Sequence, residues 1–287
     1  MGSRTRVVSA VEVRGLRKSY GSDDVLHGID LAIPEGEVFA LLGPNGAGKT
    51  TTIEILEGYR DRDGGDVTVL GVDPAKSDAS FRARIGIVLQ SSAVYPRLRV
   101  DQMMRLFAGY YPNPRDTNDL LELVGLADRV RDRVRTLSGG QKRRLDLALA
   151  LVGDPELIFL DEPTTGFDPE ARRRAWTTIS DLRQLGKTIL LTTHYLDEAH
   201  QLADRIAILR KGKIAAEGTP AELLSETELT EIRYRRGGEL IVVQTRTPTA
   251  TLNELTSEAV DQDVELEGLE VRRPSLEDFY LNLVEDD

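Results

Sequence analysis

The sequence predicts an α/β fold built on a mostly parallel sheet with helices on both faces, and three observations point to it. Short, continuous apolar runs recur at 38–42, 157–160 and 188–192, as in strands buried on both sides. Segments with helical apolar spacing, at 51–56, 100–110 and 169–185, alternate with those runs. The first run also stops at a glycine-rich turn that opens directly into a helical pattern, giving strand, loop, helix.

Taken in chain order, apolar residues alternate at 11–13, leading into Leu16, and again at 28–33. Alternation of period two predicts antiparallel strands with one buried face. A further strand is predicted at 84–89. Residues 89 to 157 read as mainly helical, with periodic segments at 118–126 and 141–152, so a helical subdomain at about 91–153 interrupts the sheet. Past residue 230 the pattern restarts as strands at 231–235 and 239–244, a helix at 252–259, another strand and a last helix at 275–283. The expected organisation is one large domain at 8–225 and a small α+β extension at 226–287.

The charge distribution supports that division. The chain has 287 residues and a formal net charge of −11, while residues 214–287 carry 18 acidic and 6 basic side chains, a net −12. Composition therefore changes near residues 212–222. Net acidity argues against general nucleic-acid binding. Cysteine is absent, which excludes disulfides and thiolate metal sites and leaves His27, His194 and His200 as the imidazoles. Apolar stretches stop far short of the ~20 residues of a membrane helix. With no apolar segment after Arg4 and Arg6, the expected location is the cytoplasm.

Gly43-Pro44-Asn45-Gly46-Ala47-Gly48-Lys49-Thr50 matches the full G-x-x-x-x-G-K-[ST] pattern, followed by Thr51, between an expected strand and an expected helix. Glycines let backbone N–H groups turn inward around phosphates, and the following helix presents its positive end. Lys49 adds a mobile charge for the outer phosphates, and the Thr50 hydroxyl is placed to ligate magnesium. The run 157–160 ends in Asp161 and Glu162. Side chains alternate along a strand, so the two carboxylates take different jobs: Asp161 suits a magnesium site and Glu162 a general base. A strand end that simply reaches solvent is the plainer reading.

Leu137-Ser138-Gly139-Gly140-Gln141 precedes a helical pattern with Arg143 and Arg144 in its first turns. Ser138 and Gln141 have the spacing of a capping box, and the same N-terminus can receive an anion. Gln90 follows one strand, where its amide could reach a metal or a water, and His194 follows another as a candidate catalyst; either is equally compatible with a structural role. Tyr20, before Gly21, offers a ring for stacking on a purine, or for simple packing.

In order, Tyr20, residues 43–51, Gln90, residues 137–141, residues 157–162, Gly166-Phe167-Asp168-Pro169 and His194 resemble the ATP-binding cassette (ABC) family over residues 10–225. The resemblance implies a P-loop NTPase fold with a mixed sheet core, an antiparallel N-terminal β subdomain and a helical subdomain. It implies that Tyr20 stacks adenine and that Asn45, Gly46, Ala47, Gly48, Lys49, Thr50 and Thr51 hold phosphates. Thr50, Gln90 and Asp161 would surround Mg2+, Glu162 would act as base, and His194 would contact the γ-phosphate. Ser138, Gly140 and Gln141 would complete the ATP site of a second copy or a paralogous cassette. Phe167, where the family more often has leucine, leaves the packing of Asp168 at that interface open.

Gly218-Thr219-Pro220 and Arg273-Pro274-Ser275-Leu276-Glu277-Asp278-Phe279-Tyr280 are similar to the tails of stand-alone ATPase subunits of bacterial drug and natural-product exporters. Leu56-Glu57-Gly58-Tyr59 and Leu106-Phe107-Ala108-Gly109 fit that branch too. The implied partner is a membrane-spanning permease met at residues 90–98, and the implied place is the cytoplasmic face of the membrane. Exporters of lipid, polysaccharide or ions, an importer, and a soluble cassette are the alternatives.

Overall fold

The computed structural model describes residues 8–89, 95–226, 229–272 and 275–285. Contacts divide the chain into two compact units, one up to Glu217 and one from Gly218 onward.

In the first unit β1 (Ser9–Tyr20) and β2 (Asp23–Pro34) pair antiparallel, and β4 (Gly64–Val69) lies on the other side of β1. The alternating apolar residues Val11, Val13, Leu31 and Ile33 are buried, as a strand pair with one core face requires. The β4 strand is not legible in the sequence because Gly64-Gly65-Asp66 reads as a turn. Gly65 is there for space: a Cβ would come within 2.4 Å of the Gly15 carbonyl oxygen, where β1 bulges.

The second sheet has six strands: β3 (Val38–Leu42), β5 (Ile85–Val88), β6 (Leu157–Asp161), β7 (Thr188–Thr193), β8 (Arg205–Arg210) and β9 (Lys213–Gly218). Their order is β5-β6-β7-β3-β8-β9, and β5–β6, β6–β7, β7–β3 and β3–β8 are parallel. Lys211 and Gly212 both have left-handed backbone and turn the chain back from β8 into β9, the geometry of a two-residue hairpin, so the sheet is mixed. Every residue of β3 and β7 is buried.

Helices α1 (Lys49–Leu56), α2 (Ala79–Arg84), α3 (Val100–Ala108), α4 (Thr117–Leu123), α5 (Gly139–Leu151), α6 (Pro169–Gln184) and α7 (Leu196–Leu202) complete this unit. Buried Ala175, Ile179 and Leu182 recur at helical spacing on α6. Phe39, Leu41, Ile53, Phe81, Phe159 and Leu190 belong to one apolar core that also takes in the inner residues of β1, β2 and β4. Each such side chain contributes about 1.5–3 kcal/mol relative to exposure. Because β6, β7 and β3 are parallel neighbours, the segments that follow them leave the sheet along a single edge.

The second unit contains α8 (Pro220–Glu226), β10 (Thr230–Arg236), β11 (Glu239–Thr245), α9 (Pro248–Asp261), β12 (Glu267–Arg272) and α10 (Leu276–Glu285). Its sheet runs β11-β10-β12, antiparallel throughout, with Ile232 and Tyr234 buried and α9 packed on β10. Among the described residues no helix is long and apolar enough to cross a membrane.

Candidate active site

The loop between β3 and α1 is fixed by glycines at positions of close approach. A Cβ at Gly43 would sit 2.3 Å from the Leu209 carbonyl oxygen, and one at Gly48 would sit 2.6 Å from Leu26 Cδ2. Gly48 is also the N-cap of α1, in left-handed conformation and without a side-chain acceptor. The first-turn N–H groups of α1 are therefore not capped by a side chain, a state that favours an anion. Ala47 and Lys49 are buried, Asn45, Gly46 and Thr50 are exposed, and Thr51 is half-buried.

Lys49 Nζ donates to the carbonyl oxygens of Gly43 at 2.7 Å and Pro44 at 3.2 Å. Burial lowers its pKa, while the charges of Glu162 and Asp161 act in the opposite direction. The ammonium thus lies in the field of the two carboxylates that end β6. A multiply charged anion entering the loop would exchange those carbonyl contacts for charge-assisted ones.

The two carboxylates are held differently, as strand alternation requires. Asp161 lies across from Thr192 in the β6–β7 register, and its Oδ1 accepts from Thr192 Oγ1. Glu162 leaves the strand with a left-handed φ of 48°. Its N–H donates to Thr192 O and Oγ1, each at 3.1 Å. Its Oε2 accepts from Thr165 Oγ1 at 3.2 Å, and its Oε1 lies 3.3 Å from His194 Nδ1. The His194 ring packs on Tyr195, with centroids 4.1 Å apart.

Arg143, buried on α5, donates to the Asp161 carbonyl at 2.9 Å, to the Glu162 carbonyl at 3.1 Å and to the Leu89 carbonyl. It therefore ties the ends of β5 and β6 to the helix that begins at Ser138. At that N-terminus Ser138 Oγ accepts from Gln141 N–H at 3.2 Å, and Gln141 Oε1 accepts from Ser138 N–H at 2.9 Å, a complete capping box. Ser138 and Gly139 are exposed and Gly140 is half-buried, so the outer surface of this turn remains open.

Asp168 caps α6, accepting from the N–H groups of Glu170 and Ala171, and the Ala171 amide leads the contacts that lower its pKa. Tyr20 ends β1 with 40% of its surface exposed, and the Arg60 and Lys18 cations lie 5.2 and 5.5 Å from its ring centroid. Gln90, expected near the metal, lies outside the described residues.

Asp161, Glu162 and His194 lie at or just past the ends of the adjacent strands β6 and β7, and Lys49 opens α1 beyond the neighbouring β3, whereas Ser138 joins through Arg143. Thr192, Thr165 and Arg143 are the contributors that motif reading leaves without a role. A threonine at the end of an otherwise apolar strand was the available signal for Thr192, and the inward side of an amphipathic helix was the signal for Arg143.

For magnesium the donors are oxygens: the exposed Thr50 hydroxyl and Asp161 Oδ2, neither hydrogen-bonded among the described residues. The same residues contain no cluster of three or more His, Cys, Asp or Glu poised to hold a metal. A sparse oxygen set fits magnesium, which keeps waters and takes one or two carboxylates plus substrate phosphates.

The family model described as ABC transporter matches residues 26–165. The chain is 38% identical to the daunorubicin resistance ATP-binding protein DrrA3 of Streptomyces coeruleorubidus, over 97% of either chain. It is 33% identical to the linearmycin resistance ATP-binding protein LnrL of Bacillus subtilis, over 95% of this chain and 97% of that one. It is 37% identical to a Nod factor export ATP-binding protein of Rhizobium etli, over 96% and 93%. Among solved structures, an ATP-binding subunit of an ABC transporter aligns with a TM-score of 0.69 and 28% identity, covering 76% of this chain and 93% of that one. The dimeric post-hydrolysis state of the cassette MJ0796 bound to ADP and Pi aligns with a TM-score of 0.66 and 25% identity, covering 73% and 98%. With its phosphate loop, paired carboxylates and capped Ser-Gly-Gly-Gln turn on one cassette fold, and with near full-length relatives, this chain belongs to the ATP-binding subunits of ABC transporters.

Proposed function

We propose that the chain powers an exporter of a drug-like or natural-product molecule by binding and hydrolysing Mg-ATP between two cassettes, coupled to a separate membrane subunit. The observation that carries the chemistry is the convergence of Lys49, Asp161, Glu162 and His194 at one sheet edge. Export is supported by the relatives named for daunorubicin and linearmycin resistance and Nod factor export.

In this reading the loop amides of 45–51 and Lys49 hold the phosphates, and Tyr20 stacks the adenine, with Arg60 and Lys18 holding the ring in place. Thr50 and Asp161 hold magnesium, which when bound neutralises phosphate charge; Gln90 is assigned to the same task from sequence. Thr192 fixes the orientation of the Asp161 carboxylate. Glu162 accepts the proton of the attacking water as the γ-phosphoryl group moves to it and ADP leaves. His194, 3.3 Å from Glu162, orients that water and the γ-phosphate.

Ser138, Gly140 and Gln141 supply N–H and hydroxyl donors to the nucleotide of the opposing copy, and Asp168 lies at the same interface. Each copy alone therefore builds only half of either site, and hydrolysis opens the dimer by removing the shared γ-phosphate. Arg143 links the two halves, because it connects the helix behind Ser138 to the backbone that carries the catalytic carboxylates. The test is purification of the tagged full-length chain from its own membranes. A polytopic membrane protein that copurifies and stimulates ATP hydrolysis supports the reading, and cosedimentation with ribosomes or DNA instead overturns it.

A further inference from the structure

Glu198, in the first turn of α7 just after His194, is 0% exposed. Its Oε1 accepts from Trp176 Nε1 of α6 at 3.1 Å. Its Oε2 is buried with no hydrogen-bond partner among the described residues, and so is Thr164 Oγ1. Thr164 and Thr193 lie against the carboxyl group, one shortly past Glu162 and the other immediately before His194. Burial raises the Glu198 pKa, against the pull of the threonine and tryptophan contacts and of the Arg172 charge. In the neutral acid the proton on Oε2 gives both orphaned oxygens a partner at once, with Thr164 Oγ1 accepting it.

A second set of contacts runs beside the first. Arg172, one turn before Trp176 on α6, places its guanidinium 4.3 Å from the Tyr195 ring centroid and its NH1 3.5 Å from Asp197 Oδ2. Tyr195 in turn packs on the His194 ring. The Asp197 side chain is 60% exposed, and exposed ion pairs contribute little. The buried Glu198 contact is therefore the one that fixes how α7 starts against α6. At its other end α6 begins at the Asp168 cap, and Phe167 N–H donates to Thr164 O at 3.1 Å to close the turn between Glu162 and Asp168. One carboxyl group thus touches three segments: the turn that follows Glu162, the helix that Asp168 caps and the strand end that carries His194.

We propose that Glu198 is a positioning residue for hydrolysis, which sets where His194 stands relative to Glu162 and makes that position follow the Asp168 end of α6. This rests on the assignment of His194 to the γ-phosphate and of Asp168 to the interface between copies. It adds a route within one chain: closure of a second copy on Asp168 reaches His194 through α6, Trp176 and Glu198.

Trp176 is the one tryptophan of the chain, so its emission reports on the contact directly. The test compares full-length wild type, Glu198→Gln and Glu198→Leu by steady-state ATP hydrolysis, calorimetric affinity for Mg-ATP and tryptophan emission. Glutamine keeps an acceptor for Trp176 and offers Thr164 a donor, whereas leucine removes both. Glu198→Leu is expected to lower kcat by about 10²-fold, the scale of a small misplacement at a reacting centre, with Mg-ATP affinity unchanged. Glu198→Gln is expected to recover most of that loss, which a contribution from charge would not allow. Mg-ATP should change the Trp176 emission in wild type and Glu198→Gln and leave it unchanged in Glu198→Leu. If Glu198→Leu does not fold, Thr164→Val deletes one partner, keeps the shape, and is expected to lower kcat by about tenfold at unchanged affinity. Wild-type kcat together with a wild-type emission response in the folded variant, or no recovery in Glu198→Gln, overturns the inference and leaves the roles of Glu162 and His194 standing. Wild-type turnover in His194→Ala overturns the assignment of His194 and this inference with it.

Discussion

Asp161 and Thr192 face each other across the parallel strands β6 and β7, and the threonine hydroxyl donates to the aspartate carboxylate. The same hydroxyl oxygen accepts from the Glu162 N–H at 3.1 Å. One buried side chain thus orients both acidic residues. Thr192→Val keeps the shape and removes both contacts. Stability should fall by about 1–3 kcal/mol, the cost of leaving a buried polar group unpaired, and turnover should fall by more than KM rises. Urea unfolding and steady-state ATPase assays check the pair.

Glu162→Gln keeps the contacts to Thr165 and His194 but removes a base. Turnover should fall by about 10²–10⁴-fold, with ATP affinity preserved and an ATP-bound dimer accumulating on gel filtration. Unchanged turnover would contradict the assignment of Glu162 as base.

Arg143 donates to carbonyl groups of Leu89, Asp161 and Glu162 from a buried position. Arg143→Met leaves those carbonyls without their charged donor, which should lower stability by roughly 2–4 kcal/mol and reduce kcat at nearly constant KM. Arg143→Lys restores the charge but not the fork, so partial rescue of stability with poor rescue of kcat is expected. Equal recovery of both would reduce Arg143 to a packing role.

Strand–loop–helix order, the antiparallel N-terminal strands and the edge residues Lys49, Asp161, Glu162 and His194 were legible because each rests on a local pattern. Val38–Leu42 reads as a strand from five consecutive apolar residues, and the glycines of 43–48 read as a loop because they interrupt both the strand and the helical pattern. β4, α2, α7, β8, β9 and α8 are not legible in the sequence. Their patterns are short, and in β9 the half-buried alternation Ile214-Ala215-Ala216 carries little apolar signal. The roles of Thr192 and Arg143 were hidden for another reason: both depend on residues dozens of positions away, brought close only by strand order and helix packing.

Burial raises the Glu57 pKa from 4.5 to about 8, with Asp161 and Glu54 adding to the shift. Glu57 lines a cavity of about 330 Å³, and Asp146, Arg82, Tyr59 and Tyr111 are the other titratable groups in that lining. Between those two pKa values the folded chain holds a proton that the unfolded chain has released. Stability from this group is therefore complete below pH 4.5 and is lost as pH rises through about 8. Glu57→Gln should flatten the fall in unfolding free energy between pH 5 and pH 8.5. Thermal melts across that range check it, and an unchanged slope in the variant would place the effect elsewhere.

The phosphate loop is the feature on which all the chemistry depends, and equilibrium binding of Mg-ATP to the full-length chain and to Lys49→Ala tests it most directly. Removing the ammonium that sits between the loop carbonyls and the β6 carboxylates should weaken binding by about 100-fold or more. Equal affinity of the two proteins would contradict the account.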